Sequence, residues 1–121
     1  MQAIEVGKKL VAYCNANEPE KAVAELYADS IVSIEPDEEN GGIIEGMQAL
    51  LVKHEHWNSA VEVHETIARG PYIGRRENEF AVKFDLDATP QGSERQNLEE
   101  LAYYTVEDGK VVREEFMFLS Q

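Results

Sequence analysis

Basic residues are scarce in this chain. Its 121 residues hold 11 Lys and Arg against 24 Asp and Glu, a formal charge of −13. Phosphate binding needs a basic face, so this balance argues against a nucleic-acid partner. Cysteine is scarcer still: Cys14 stands alone, and no disulfide can form within the chain. It falls on an apolar helical stripe and reads as a small buried hydrophobe, because a thiol nucleophile needs basic neighbours. No apolar run approaches membrane-spanning length, and no basic-then-apolar leader opens the sequence. The expectations are no membrane partner and a cytoplasmic location. Phosphate-binding glycine loops, His-Glu-x-x-His helices and nucleophile elbows are also missing. His54 and His56 lie two apart and point to different sides of a helix, so they share no metal. The run Glu35-Pro36-Asp37-Glu38-Glu39 lacks the spacing of a calcium loop and reads as a solvated loop. No cofactor and no metal are expected.

What is present is enough for one core. Apolar residues make up 43% of the chain, and Gly and Pro are at ordinary levels. The length fits a single domain over residues 1–121. The charge is spread evenly, with a net −7 in residues 1–60 and −6 in residues 61–121, which suits solubility rather than a charged tail.

Periodicity predicts the elements. Ala3, Ile4, Val6, Gly7, Leu10, Val11 and Cys14 recur at helical spacing over residues 2–16. Asn17 with Glu20 reads as the capped start of a second helix, with Pro19 in its first turn and Ala22, Val23, Leu26 and Tyr27 on one side. Ser30 to Glu35 reads as a short strand ended by Pro36, and Gly41-Gly42 marks a loop. A third helix starts near Gly46, with Met47, Leu50, Leu51, His54 and Trp57 on its apolar face. Strands follow over residues 61–68, 79–88, 98–106 and 111–119, the last two joined by an Asp108-Gly109 hairpin turn. The order ααβαββββ predicts an α+β fold with helices on one face of a curved antiparallel sheet.

Two blocks carry a family resemblance. They are Leu26-Tyr27-Ala28-Asp29-Ser30-Ile31-Val32-Ser33-Ile34-Glu35-Pro36 and Val106-Glu107-Asp108-Gly109-Lys110-Val111-Val112-Arg113-Glu114-Glu115-Phe116. The chain resembles the SnoaL-like, ketosteroid-isomerase-like branch of the nuclear-transport-factor-2-like superfamily over nearly its whole length. That resemblance implies a cone: a bent antiparallel sheet wrapped around three N-terminal helices, with a pocket at its open end. It also implies a homodimer through the convex sheet face. Alternation places Leu101, Tyr103, Phe116 and Phe118 on that face, an apolar surface that favours a partner.

Site residues carry over one at a time. In ketosteroid isomerases an acid directly before a proline shuttles the proton, and Glu35 before Pro36 takes that place. Tyr13 corresponds to a hydroxyl donor on the first helix, and His54 to a supporting residue on the third. The second donor, a protonated acid on the penultimate strand, should fall near Ala102 and is missing. Counting back from the hairpin pairs 106 with 111, 104 with 113, 102 with 115 and 100 with 117. On that count Glu100, Tyr104, Arg113 and Glu115 share the inner face, where Arg113 between two acids is mutually satisfied. Trp57 reads as pocket wall or core. His64 alternates away from Val61, Val63 and Ile67, toward the dimer face.

Each residue has a plainer reading beside the chemical one. Glu35 is also a solvated strand-end acid, His54 a hydrogen-bonded core histidine, and Tyr13 a packing residue with a wet hydroxyl. Two functions stand. One is cofactor-independent proton transfer, of isomerase or cyclase type, on a small, mostly apolar carbonyl compound. The other is a non-catalytic small-molecule binder or dimerising interaction domain. A scaffold of this kind hosts many activities, so the site must decide.

Overall fold

The computed structural model describes residues 1–38 and 42–118. Glu39, Gly41 and Leu119, which enter the expectations above, lie outside the described residues. The elements run α1 (Ala3–Asn15), α2 (Pro19–Leu26), β1 (Tyr27–Ile34), β2 (Ile43–Glu45), α3 (Met47–Ala60), β3 (Val61–Ile73), β4 (Glu79–Pro90), β5 (Gln96–Glu107) and β6 (Lys110–Phe118). This is the expected α+β order with the short β2 added. The six strands form one sheet in the order β2-β1-β6-β5-β4-β3. The sheet is mixed rather than purely antiparallel, because β1 runs parallel to β6.

The helices follow from their apolar stripes. Ala3, Val6, Gly7 and Leu10 of α1 and Ala22, Val23 and Leu26 of α2 are buried. They meet Phe80, Val82 and Phe84 of β4, Ala102 and Tyr104 of β5, and Val111 of β6 in one core. Each large apolar side chain buried there contributes roughly 1.5–3 kcal/mol. Gly7 lets α1 approach the sheet closely: a Cβ there would lie 2.8 Å from Pro71 Cβ and 3.1 Å from the Phe80 ring. Asn15 secures the helix end to β3, where its amide donates to the Ala68 carbonyl at 2.9 Å and its side-chain oxygen accepts from the Ala68 N–H at 2.7 Å.

Asn17 does not cap α2. It adopts a left-handed φ of 61°, Glu18 occupies the cap position without a side-chain bond, and Pro19 opens the helix. Tyr27 is not on α2 but is the first residue of β1. Helix α3 is lightly packed, with only Leu50 fully buried and Leu51 exposed.

The β5–β6 hairpin turns at Asp108-Gly109, both at positive φ, as the sequence predicts. Its register differs from the simple count. Val106 pairs with Val111, but Thr105 then pairs with Arg113. Val112 is thus an extra residue, a β-bulge beside the turn. Beyond it Tyr104 faces Glu114, Tyr103 faces Glu115 and Ala102 faces Phe116. A one-residue slip exchanges the faces of a strand. Glu114 and Phe116 therefore point inward, and Arg113, Glu115 and Met117 point outward.

Candidate functional site

The curved sheet and the helices enclose a cavity of about 410 Å³. Its walls are mainly apolar: Leu10 of α1, Val23 of α2, Phe84 and Leu86 of β4, and Phe116 of β6. Its rim is formed by Asn17, Pro19 and Glu20 on one side and by His54, Trp57 and Asn58 of α3 on the other. At its polar end stand Tyr27, Glu100, Tyr104 and Glu114. The residues that line it follow from alternation on β4 and β5 and, past the bulge, on β6.

Glu114 is the centre of this end. It is fully buried, accepts from the Tyr27 hydroxyl on Oε2 at 2.8 Å, and accepts from Ser33 Oγ on Oε1 at 3.3 Å. Ser33, also fully buried, accepts in turn from Lys53 Nζ at 2.9 Å. Lys53 forms an ion pair with Glu35 and lies 5.0 Å from the centroid of the Phe116 ring. One cation thus serves three carboxyl groups in this corner, those of Glu35, Glu100 and Glu114. Among the described residues, no group hydrogen-bonds the Glu100 side chain.

Burial sets the protonation of these groups. Loss of solvent pushes the Glu100 carboxyl up to about 7, the charges of Glu35 and Glu114 add to the rise, and Lys53 opposes it. Loss of solvent also pushes Glu114 up to about 7, against the pull of the Tyr27 bond, Lys53 and the Ser33 bond. Both acids therefore titrate where a proton can be taken up or released near neutrality. Burial, reinforced by Lys53, lowers the His54 imidazole below its ordinary value, with Glu20 opposing. His54 is a neutral ring at the rim. Tyr27 and Tyr104 are held well above the usual phenol range by burial and by Glu114, so both stay protonated. Cys14 lines the cavity with its thiol pushed up to about 11 by burial, which rules it out as a ready nucleophile.

The residues singled out from the sequence divide clearly. His54, Trp57, Glu100 and Tyr104 line the cavity. Glu35 does not line it; its side chain is 9% exposed and faces Lys53 beside the polar end. Tyr13 lies outside the cavity, because the register of α1 directs its hydroxyl to Glu25 Oε2 at 3.0 Å. Arg113 lies on the outer face, where the bulge has turned it, and bonds Glu115 at 3.1 Å with half its side chain in solvent. Phe116, expected on the outer face, is cavity wall for the same reason. His64 pairs with Thr89 Oγ1 at 2.8 Å on the exposed surface. Simple pairing missed Glu114, Ser33, Tyr27 and Lys53. The sequence carries no signal for Glu114, which stands between the charged Arg113 and Glu115.

Glu100 also bears on the acid expected near Ala102. It lies two residues earlier on the same face of β5, so the penultimate strand does carry a raised-pKa carboxyl into the cavity, displaced by one inward position.

Three helices against a curved, unclosed sheet around a mostly apolar cavity define the cone class of nuclear-transport-factor-2-like proteins. Within that class the chain belongs to the SnoaL-like domain family, whose model matches residues 1–118. It is similar to a candidate SnoaL-like polyketide cyclase from Mesorhizobium loti, at 31% identity and a TM-score of 0.90, covering 98% of this chain and 100% of that one. A candidate isomerase from Bacillus subtilis shares the fold at 20% identity and a TM-score of 0.75, over 94% of this chain and 84% of that one. TerC, co-crystallised with polyporic acid, shares it at 16% identity and a TM-score of 0.74, over 97% and 91%. No curated protein matches the chain. No helix among the described residues is long and apolar enough to cross a membrane.

Proposed function

We propose that the cavity binds a small, mostly apolar carbonyl compound and moves a proton next to the carbonyl without a cofactor, as an isomerase or cyclase does. The observation that carries this is the pair of cavity carboxyls, Glu100 and Glu114, both pushed up to about 7 at the end of an apolar pocket. The two have different surroundings. Glu114 receives two hydroxyl hydrogens, which favour its carboxylate form, so it is the base that removes the proton. Glu100 receives none, stays protonated longer, and donates to the carbonyl oxygen as negative charge develops there. The neutral His54 and Trp57 flank the entrance and select the ring that enters. Glu35 acts from beside the site through Lys53 rather than on the substrate. Similarity to a candidate polyketide cyclase is in keeping with a carbonyl substrate.

The test is proton exchange. The protein is incubated in D₂O with a panel of small cyclic ketones, and loss of the α-proton signal is followed by NMR. Exchange faster than buffer is expected for at least one ketone, with a bell-shaped pH dependence that peaks near 7, because Glu114 must be ionised while Glu100 keeps its proton. Glu114→Gln should lower it by roughly 100-fold or more, the scale of a lost general base. Ketones that shift cavity resonances yet exchange no faster than in buffer would favour the second reading, binding without turnover. That alternative has its own support: both Glu114 oxygens are already engaged by Tyr27 and Ser33, as in a purely structural buried acid.

A further inference from the structure

Among the described residues Lys53 is the one cation beside the polar end of the cavity, and its contacts have a direction. An ammonium group only donates. Ser33 Oγ must therefore accept from Lys53 Nζ, and the single Ser33 hydrogen is left to point at Glu114. The second Glu114 oxygen takes the Tyr27 hydrogen. The other face of Lys53 is held by Glu35 on β1 and by the Phe116 ring on β6. With its side chain only 16% exposed, the ammonium has little freedom to leave this arrangement.

We infer that Lys53 is a positioning residue that decides which of the two cavity acids is the base: by orienting the Ser33 hydroxyl it keeps Glu114 as carboxylate and leaves Glu100 as the acid. This assignment deepens the proton-transfer reading above and rests on it for its catalytic meaning. Without Lys53 the Ser33 hydrogen is free to turn away, and Glu114 loses both an oriented donor and a nearby positive charge. The groups that face the pair are few. From β1 come Glu35 and Tyr27, from α3 Lys53 and His54, from β5 Tyr104, from α1 Cys14 and from α2 Glu20. None of the others is a cation when His54 is neutral. The charge of Glu114 raises Glu100, which fits Glu114 ionising first.

The experiment needs no substrate. Protein labelled with ¹³C at the glutamate side-chain carboxyls is titrated from pH 4 to 10 by NMR, with Glu100→Gln and Glu114→Gln assigning the two signals. In the wild type the lower of the two near-neutral steps should belong to Glu114. Lys53→Met should raise both steps, that of Glu114 the more, by about one unit or more, because it also loses the oriented Ser33 donor, and so abolish or reverse the order. Lys53→Arg, which keeps a donor and a charge, should restore it. Ser33→Ala is the milder variant should Lys53→Met not fold. It should raise the Glu114 step and leave Glu100 nearly in place. An unchanged order in both Lys53→Met and Ser33→Ala, or a lower step that belongs to Glu100 in the wild type, overturns the assignment. If the titration behaves as stated but no ketone exchanges, the proton-transfer reading fails and the ordering of the acids by Lys53 stands.

Discussion

At the scale of the residue, the cavity carboxyls make stability depend on pH in a sense opposite to the usual one. Most carboxylates in folded proteins ionise more readily than in the unfolded chain, and stability falls as pH falls. Glu100 and Glu114 do the reverse: folded, they are raised from 4.5 to about 7. Between those values the folded state binds more protons than the unfolded state, so stability declines as pH rises. Their contribution is fully present below pH 4.5 and is lost through pH 7. A rise of this size on one buried acid is worth on the order of 3 kcal/mol. Thermal melts between pH 5 and 8 should therefore show the wild type losing stability, and Glu100→Gln should flatten that slope and gain stability relative to wild type at pH 8. A variant whose melting curve keeps the wild-type slope would show that Glu100 is not neutral in the fold. Glu100, Tyr104, His54 and Trp57 were legible in the sequence as inward residues. Glu114 was not, because residue type alone does not tell a buried acid from the exposed Glu115 beside it.

At the scale of the element, periodicity predicted most of the architecture. The apolar stripes of α1 and α2 and the alternation of β4 and β5 are strong because each element buries one face. What failed was local. A single extra residue, Val112, shifts the register of β6, and a β-branched residue in a strand gives no sign that it will bulge. Tyr27 ends a helical pattern and begins a strand, so its stripe position was sound while its element was not. The three-residue β2 is too short for any period to register. The packing of α1 on the sheet supplies the prediction at this scale. Gly7 lies where a Cβ would meet Pro71 and Phe80 at 2.8–3.1 Å, on the cyclic face of the proline rather than on a flexible tip. Helix propensity alone would make Gly7→Ala favourable by about 1 kcal/mol. Overpacking costs about 1–3 kcal/mol and should win, so denaturant unfolding of Gly7→Ala should show a net loss. A gain in stability would mean that α1 can slide on the sheet at little cost.

At the scale of the whole molecule, the cavity occupies the inner face of the sheet, and the outer face must be explained separately. It carries Leu101, Tyr103 and Met117 at about 40% exposure, next to Ile67 and the ion-paired Lys83, Asp85 and Glu99. The bulge takes both Phe116 and Phe118, expected on this face, to the inner side and brings out Met117 with Arg113 and Glu115, so the face is less apolar than alternation alone predicts. We propose that this convex face joins two copies of the chain. Apolar groups on β5 and β6, edged by charges of both signs, are the makeup of a small homodimer seam, which needs roughly 800 Å² from each partner. Charge opposes such pairing, since each copy brings −13. Association should therefore tighten with salt, as screening removes repulsion between like-charged subunits. Light scattering behind a sizing column should give about 27 kDa, twice the 13.6 kDa of one chain, with the monomer fraction falling as salt is raised from 20 to 300 mM. Leu101→Asp should yield a folded monomer, because it places a charge in the middle of the seam while leaving the inner face intact. A wild type that runs as monomer at micromolar concentrations and moderate salt, or a Leu101→Asp variant that still pairs, would move the interface elsewhere or remove it. The ketone-exchange assay on that monomer then separates the two faces: a cavity closed by its own helices should work at undiminished rate when the partner is gone.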